Sequence, residues 1–156
     1  MSSNITHAST EELIEHILTR YHDTHRDQLP ELTALAERVE RVHGGHPQCP
    51  AGLAAHLRDM NGELETHMAK EEQILFPMIT RGMGAMARGP VSVMRSEHDD
   101  HASALSTLDR LTFNLTLPDD ACGSWRRLYE GLATFRSDLT DHIRLENDLL
   151  FARVSA

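Results

Sequence analysis

The feature of this sequence that most constrains its fold is a pattern of histidine and glutamate that occurs twice, about half the chain apart. The copies read His22-Asp23-Thr24-His25 followed by His67-x-x-x-Glu71-x-x-x-Leu75-Phe76, and His98-Asp99-Asp100-His101 followed by His142-x-x-x-Glu146-x-x-x-Leu150-Phe151. The gap from the first histidine to the second is 45 residues in one copy and 44 in the other. Two similar helix pairs that direct His and Glu inward are typical of a four-helix bundle that holds two metal ions.

The second part of each copy lies on the apolar face of a predicted helix. With 11 His and 13 Glu in the chain, about one His-x-x-x-Glu pair is expected by chance, so the spacing alone proves little. In the last predicted helix the inward positions follow in steps of three and four, as Trp125, Leu128, Leu132, Phe135, Leu139, His142, Glu146, Leu149 and Arg153. The second predicted helix has the matching stripe Leu53, Leu57, Met60, Leu64, His67, Glu71, Leu75 and Met78. A carboxylate in a core must be paired, protonated or bound to metal, because a bare charge there is costly. This position makes His67, Glu71, His142 and Glu146 the firmest candidate metal ligands.

The sequence predicts an all-α fold, an antiparallel four-helix bundle formed by a single domain over residues 1–156. Ser9 and Glu12 form a capping box that opens the first helix. Pro30 is expected to kink or break this helix before it ends at Gly44. The other helices are predicted from near Pro50 to near Arg81, from Pro90 to near Phe113, and from about Ser124 to Arg153. Connections of roughly 7 to 12 residues favour antiparallel neighbours.

The partner helices each offer two histidines three residues apart, and such residues share a helix face. The apolar stripe around His98 favours it over His101 as a ligand, and by the repeat His22 is favoured over His25. His43 has no counterpart in the second half of the chain. It lies 21 residues after His22, which is about 30 Å along a continuous helix. Spacing alone therefore predicts a helix-end histidine at position 43.

Composition excludes two classes of partner. The chain has 24 acidic and 15 basic residues and a formal net charge of -9, so a nucleic-acid or anionic-membrane partner is not expected. The first ten residues contain no apolar signal segment, and no window approaches the length of a membrane span, so we expect a cytoplasmic protein. Cys49 and Cys122 fall in predicted connections and form no metal-binding motif; we expect two free thiols.

With these residues assembled, the chain resembles the hemerythrin-like domain of the di-iron iron-sulfur cluster repair proteins, the repair of iron centers family. The match is carried by Tyr21-His22-Asp23, Gln28-Leu29-Pro30-Glu31-Leu32, Val39-Glu40-Arg41-Val42-His43, the residues from His67 to Pro77, Ser96-Glu97-His98-Asp99, and the residues from His142 to Asn147. The resemblance implies an oxo-bridged pair of iron ions held by His22, His43, His67, His98 and His142, with Glu71 and Glu146 as bridges. It therefore also implies that the first helix bends or breaks at Pro30 and brings His43 to the site.

The resemblance further implies a stress-response protein that helps to restore iron-sulfur clusters damaged by nitric oxide or oxidative stress. Iron release to a damaged cluster and redox chemistry at the di-iron centre, such as nitric oxide reduction, are both compatible with it. The implied partners are proteins with damaged clusters, together with nitric oxide, dioxygen or peroxide as small ligands. Glu63, one turn before His67, and Glu97, beside His98, are candidate acids that orient a ligand or relay protons.

Full-length members of this family carry an additional small amino-terminal domain with an adjacent cysteine pair. Here only about a dozen residues precede the first predicted helix. We therefore expect any step that relies on those cysteines to be absent or to be supplied by another protein.

The alternative is a hemerythrin-type carrier or sensor of dioxygen or nitric oxide. Oxygen-carrying hemerythrins typically place a His-x-x-x-His pair on one helix and use an aspartate as a bridge. Here Ala102 stands four residues after His98, and the second predicted bridge is Glu146, which favours the repair family. A bundle without metal, in which each His-Glu pair is hydrogen-bonded in the core, is a further alternative.

Overall fold

A computed structural model describes residues 5–155 of the chain, with side chains from residue 5 to residue 154. Within these residues the chain forms four long helices and no strand. Helix α1 comprises Thr10–His16, Ile17–His22 and Asp23–His43; α2 comprises Leu53–Lys70, Glu71–Leu75 and Phe76–Thr80; α3 is Gly84–Leu111; and α4 comprises Gly123–Leu145, Glu146–Leu150 and Phe151–Ser155. The predicted all-α fold is confirmed.

Two apolar cores lie one above the other in the bundle. Core A contains buried residues from 29–39 of α1, 53–68 of α2, 105–108 of α3 and 125–139 of α4. Core B contains buried residues from 13–17 of α1, 75–76 of α2, 87–94 of α3 and 150–154 of α4. Helices α1 and α3 thus run from core B to core A, and α2 and α4 run in the opposite direction. The alternation makes the bundle antiparallel and leaves a layer between the cores where all four helices pass.

The start of α1 follows the sequence prediction. Ser9 Oγ accepts a hydrogen bond from the Glu12 N–H at 3.1 Å, and Glu12 Oε1 accepts one from the Ser9 N–H at 3.1 Å. This capping box satisfies two backbone donors that the first turn would otherwise leave free.

The predicted break at Pro30 is not found, because Asp23–His43 is one α-helix with Pro30 inside it. Pro30 is exposed, so water can reach the carbonyl that its missing N–H leaves without a partner. Helix α3 likewise includes Pro90 and begins earlier than predicted, at Gly84. The two prolines are tolerated within helices that core packing holds in place.

Three turns of π-helix interrupt the α-helices at the level between the two cores. The first, Ile17–His22, ends at a predicted ligand, and the others, Glu71–Leu75 and Glu146–Leu150, each begin at one. A π turn closes hydrogen bonds over one residue more than an α turn does. Each therefore rotates the helix beyond it relative to a regular α-helix.

The rotation corrects the predicted inward face at the end of α4. Regular spacing placed Leu149 and Arg153 inward, yet both are only half-buried. The side chains that reach core B are those one position later, Leu150 and Val154, with 0% and 8% exposure. The extra residue of the π turn after Glu146 accounts for the shift by one.

No helix among residues 5–155 combines the length and apolar character that crossing a bilayer requires.

Candidate metal centre

Six of the seven predicted metal ligands meet in the layer between the two cores, and every one of them is buried: His22, His67, Glu71, His98, His142 and Glu146. Their nitrogen and oxygen atoms form two groups, each with all its atoms within 4.8 Å of one another. One group consists of His22, Glu71, His142 and Glu146, and the other consists of His67, Glu71, His98 and Glu146. Each group thus has two histidines of its own, and both groups share the two glutamates.

The shared glutamates each direct one oxygen to each group. Glu146 Oε2 lies 2.7 Å from His142 Nε2 in the first group, and Glu146 Oε1 lies 2.8 Å from His98 Nε2 in the second. Glu71 does the same, with Oε1 at 3.1 Å from His22 Nε2 and Oε2 at 3.5 Å from His67 Nε2. Each of these two carboxylates therefore lies where it could bridge two cations, one in each group.

Several buried atoms of this cluster lack a hydrogen-bond partner, namely His67 Nε2, Glu71 Oε2 and Glu146 Oε1. For Glu146 Oε1 the short distance to His98 Nε2 does not have hydrogen-bond geometry. Orphaned buried acceptors are costly in a core, and a cation would satisfy all three. Imidazole nitrogens combined with carboxylate oxygens are a donor set that suits iron. These residues therefore fit a pair of metal ions.

The titration of the cluster is consistent with cation binding. Burial raises the pKa of Glu71 well above its usual value, and the adjacent Glu146 carboxylate raises it further. Burial acts to raise the pKa of Glu146, but His142, His22 and His98 together outweigh it and hold this pKa well below its usual range. Burial lowers the pKa of His67 to about 4, so this imidazole is neutral at physiological pH. A neutral imidazole is the form that binds metal.

Each of the four histidines has a hydrogen-bond partner at Nδ1, on the side away from the cluster. The partners are Glu72 Oε2 for His22 at 2.7 Å, Glu97 Oε1 for His67 at 2.8 Å, Asn147 Oδ1 for His98 at 2.8 Å, and His25 Nε2 for His142 at 3.0 Å. When Nδ1–H donates outward, the lone pair lies on Nε2, and Nε2 faces the cluster. These outer partners orient the rings for metal binding.

Two of these partners were missed by sequence reasoning although the repeat contains a signal for them. Glu72 follows the bridging Glu71, and Asn147 follows the bridging Glu146. Glu72 is half-buried and accepts hydrogen bonds from Arg26 Nη1 at 2.8 Å and Nη2 at 2.9 Å. Its carboxylate therefore lies beside the site. Burial acts to raise the pKa of Glu72, but Arg26 and His22 outweigh it, so the carboxylate stays ionised.

The two predicted acids differ in position. Glu97 accepts from His67 Nδ1 and is also paired with Lys70 Nζ at 2.8 Å. Glu63 is exposed and lines a surface cavity of about 980 Å³ that Glu97 and His101 also line. Glu97 thus contacts the candidate ligand His67, whereas Glu63 is an exposed side chain that lines the same cavity.

The structure does not bring His43 to the cluster. Its Nε2 lies 3.2 Å from Cys122 Sγ, and its ring centroid lies 5.0 Å from that of Trp125, beside core A. The unbroken helix explains the separation, since 21 residues correspond to about 30 Å of α-helix. The fifth histidine that the resemblance implied is therefore not supplied by His43 in this structure.

The second histidines of the repeated His-Asp-x-His units are buried beside the ligands. His25 contacts His142 as described, and its pKa is lowered by burial to about 3. The His101 ring lies 4.8 Å from the His67 ring, between centroids, and its Nδ1 has no hydrogen-bond partner. The choice of His22 and His98 over their neighbours agrees with the two ligand groups.

Comparison with known proteins identifies similar sequences. The family model described as the hemerythrin HHE cation binding domain matches residues 13–154. The chain is 57% identical over 141 residues to the iron-sulfur cluster repair protein YtfE of Yersinia pseudotuberculosis serotype O:1b (strain IP 31758). It is 57% identical over 141 residues to the protein of the same name from Yersinia pestis (strain Pestoides F). These alignments cover 90% of this chain but 64% of each relative, so the chain spans less than two thirds of their length. Both relatives carry the name of the family that the sequence resembles.

Proposed function

The chain belongs to the hemerythrin HHE cation binding domain family, and we propose that it is a cytoplasmic non-haem di-iron protein that helps to repair damaged iron-sulfur clusters. The observation that carries the proposal is the pair of buried ligand groups that share Glu71 and Glu146. The named activity of the relatives at 57% identity supports repair as the function. Damage by nitric oxide or by oxidants is the stress to which we assign it.

We propose two iron ions joined by an oxo bridge as the cofactor. Each group supplies two imidazole nitrogens and two carboxylate oxygens, so about two positions of a six-coordinate iron are left for other ligands. Bound iron would supply one-electron redox chemistry and a position for nitric oxide, dioxygen or peroxide. The apolar cores on both sides exclude water from the layer that holds these ligands.

The residues around the cavity beside α2 and α3 have a proposed role in proton movement. Glu97 holds His67 through Nδ1 and faces Lys70, so it can accept or return a proton at the edge of the centre. Glu63, an exposed side chain that lines the same cavity, is proposed to exchange protons with solvent. Proton transfer between the surface and the centre would accompany any change of charge at the ligands.

An alternative function is reversible binding of dioxygen or nitric oxide by a carrier or sensor. One observation favours this alternative. The six candidate ligands come from four helices, and each is at most 2% exposed. Such enclosure favours a centre that keeps its irons. Repair by iron donation requires that at least one iron leaves.

The two functions are separated by one experiment. Purified protein is loaded with Fe²⁺ without oxygen and mixed with an iron-sulfur enzyme that nitric oxide has inactivated. Recovery of that enzyme and formation of nitrous oxide are then measured together. We expect recovery with the wild-type chain and with Glu130→Gln, an exposed position on α4, but not with Glu146→Gln. Reversible oxygen binding without recovery of the enzyme would favour the carrier and contradict repair.

A further inference from the structure

A cysteine and a histidine form a pair at the end of core A that lies away from the ligand cluster. Cys122 is a free, partly exposed thiol, and its Sγ lies 3.2 Å from His43 Nε2. Cys122 is also the N-cap of the long helix α4, and its side chain makes no capping hydrogen bond there. The thiol therefore has a base within reach and lies at the positive end of a helix dipole.

The pair lines a cavity of about 400 Å³ between α1 and α4. Arg38 and Val42 line the cavity from α1, and Arg127 lines it from α4. The two arginines are exposed, and neither takes part in the ion pairs found among residues 5–154. Val42 is apolar but 61% exposed. The cavity thus offers free positive charge and an apolar wall beside the thiol.

The charge of this cavity is opposite to that of the chain as a whole. The sequence has 24 acidic and 15 basic residues, yet no Asp or Glu lies among the described residues that line the cavity. Guanidinium groups bind carboxylates through paired hydrogen bonds. A small molecule with carboxylates therefore matches the cavity.

We propose that Cys122 forms a mixed disulfide with a small carboxylate-bearing disulfide, of the class of oxidised glutathione, in the cavity that Arg38 and Arg127 line. The arginines bind the carboxylates, and His43 takes the proton of the thiol. The site is separate from the six clustered ligands and does not require a bound metal.

The reaction is a thiol–disulfide exchange. His43 Nε2 takes the proton of the Cys122 thiol, and the thiolate attacks one sulfur of the small disulfide. The bond between the two sulfurs of the small molecule breaks as the new bond to Cys122 Sγ forms. The leaving thiolate takes the proton from His43 and departs as a free thiol. Cys122 is oxidised and the small disulfide is reduced, so no further oxidant is needed.

The other cysteine of the chain provides an internal comparison. Cys49 is only 9% exposed, and burial raises the pKa of its thiol, to which the charge of Glu40 adds. A thiol must be ionised and accessible to attack a disulfide. We therefore expect Cys122 to react and Cys49 to remain a free thiol.

The test compares two small disulfides at neutral pH: oxidised glutathione, which carries carboxylates, and bis(2-hydroxyethyl) disulfide, which is neutral. The purified full chain is incubated with each, and mass spectrometry of the intact chain and of its peptides counts and locates the adducts over time. We expect one adduct, on Cys122, that an excess of reducing thiol removes. Cys122→Ser should form none, and Cys49→Ser should react like the wild type.

A double variant tests recognition of the carboxylates. Arg38→Gln/Arg127→Gln should lower the ratio of the rate with oxidised glutathione to the rate with the neutral disulfide by roughly 10-fold, since exposed charge pairs are individually weak. Arg88→Gln/Arg110→Gln is the matched control, because it removes the same charge from exposed positions on α3. The control should keep the wild-type ratio.

His43→Phe tests the base, because it keeps a ring on Trp125 but has no nitrogen. An ordinary thiol, with a pKa of about 8.5, is only about 3% ionised at neutral pH, so the variant should react about 10-fold more slowly with both disulfides. At about pH 10, where a thiol ionises without help, the variant and the wild type should react at similar rates. If His43→Phe does not fold, His43→Gln provides the same comparison.

Three results would overturn the proposal. They are equal modification of Cys49 and Cys122, a rate ratio in Arg38→Gln/Arg127→Gln no lower than in the control on α3, and a wild-type rate in the His43 variant at neutral pH. None of these measurements involves iron, so their outcome is independent of the function proposed for the metal centre.

Discussion

The two-cation arrangement predicts that Glu146→Gln weakens both metal sites at once. Glu146 directs Oε1 toward His98 in one group and Oε2 toward His142 in the other. Glutamine has nearly the same volume, so the change leaves no cavity. It removes the negative charge that both sites share and replaces one of the two ligand oxygens by an NH₂ group, which cannot bind a cation. By contrast, His142→Ala removes a donor from one group only.

The expected magnitude follows from the number of donors. Each group has four protein donors, and structural zinc sites with four protein ligands bind their ion with about 10–16 kcal/mol. One donor therefore contributes roughly 3 kcal/mol, which corresponds to about a 100-fold change in affinity. We expect Glu146→Gln to weaken the site that faces the NH₂ group by about this factor. The other site keeps a neutral oxygen but loses the shared charge, so it should weaken by a smaller factor. His142→Ala should weaken one site and leave the other near its original affinity.

The assay is anaerobic titration with Fe²⁺, followed by gel filtration and counting of the iron that remains bound. Glu130→Gln, an exposed change on the same helix, is the matched control and should bind like the wild type. If Glu146→Gln holds two irons at wild-type affinity, or loses one while the other is unaffected, the carboxylate is not shared and the bridging assignment is wrong.

Three further predictions follow from other parts of the site. In the metal-free protein burial lowers the pKa of His101 from 6.5 to about 3, so between these values the unfolded chain binds a proton that the folded chain does not. The free energy of unfolding should therefore fall as the pH drops below 6.5. His101→Gln should reduce the dependence of this free energy on pH by up to about 1.4 kcal/mol per pH unit, as measured by urea unfolding. An unchanged dependence on pH would contradict this prediction. Glu97→Gln should weaken iron binding roughly 10-fold, because the acceptor of the His67 Nδ1–H loses its negative charge. The exposed control Glu63→Gln should not weaken it, as judged by iron removal with a weak chelator. His43→Ala should leave the iron count unchanged and lower the free energy of unfolding by about 1 kcal/mol, because packing on Trp125 is lost. Loss of an iron in this variant would show that His43 is a ligand after all.

The repeat in the sequence carries enough information to select the six clustered residues. His67, Glu71, His142 and Glu146 occupy positions that an apolar stripe reserves for the core, and the second copy resolves the choice between His22 and His25. Periodicity works here because helices expose the same face every three or four residues.

The parts that sequence reasoning missed depend on departures from regular helix or on long-range pairing. Steps of three and four do not reveal a π turn, so the inward face after Glu146 was assigned one residue too early. His43 was brought to the site by resemblance, although its distance along an unbroken helix argued against it. Gln28 Nε2 on α1 donates to Asp138 Oδ2 on α4 at 2.9 Å. The two residues lie 110 positions apart in the chain, and no local sequence pattern links them.

The origin of the ligands in all four helices also has a consequence for biosynthesis. A ribosome completes α1, α2 and α3 before it reaches His142 and Glu146, so a nascent chain displays His22, His67 and His98 with only one of the two bridging carboxylates. Such a chain offers neither complete group of donors, and it cannot hold the pair of cations while it is being made. Loading of two cations must follow the closure of α4 onto the bundle, so the pair of sites is complete only after synthesis of the last helix.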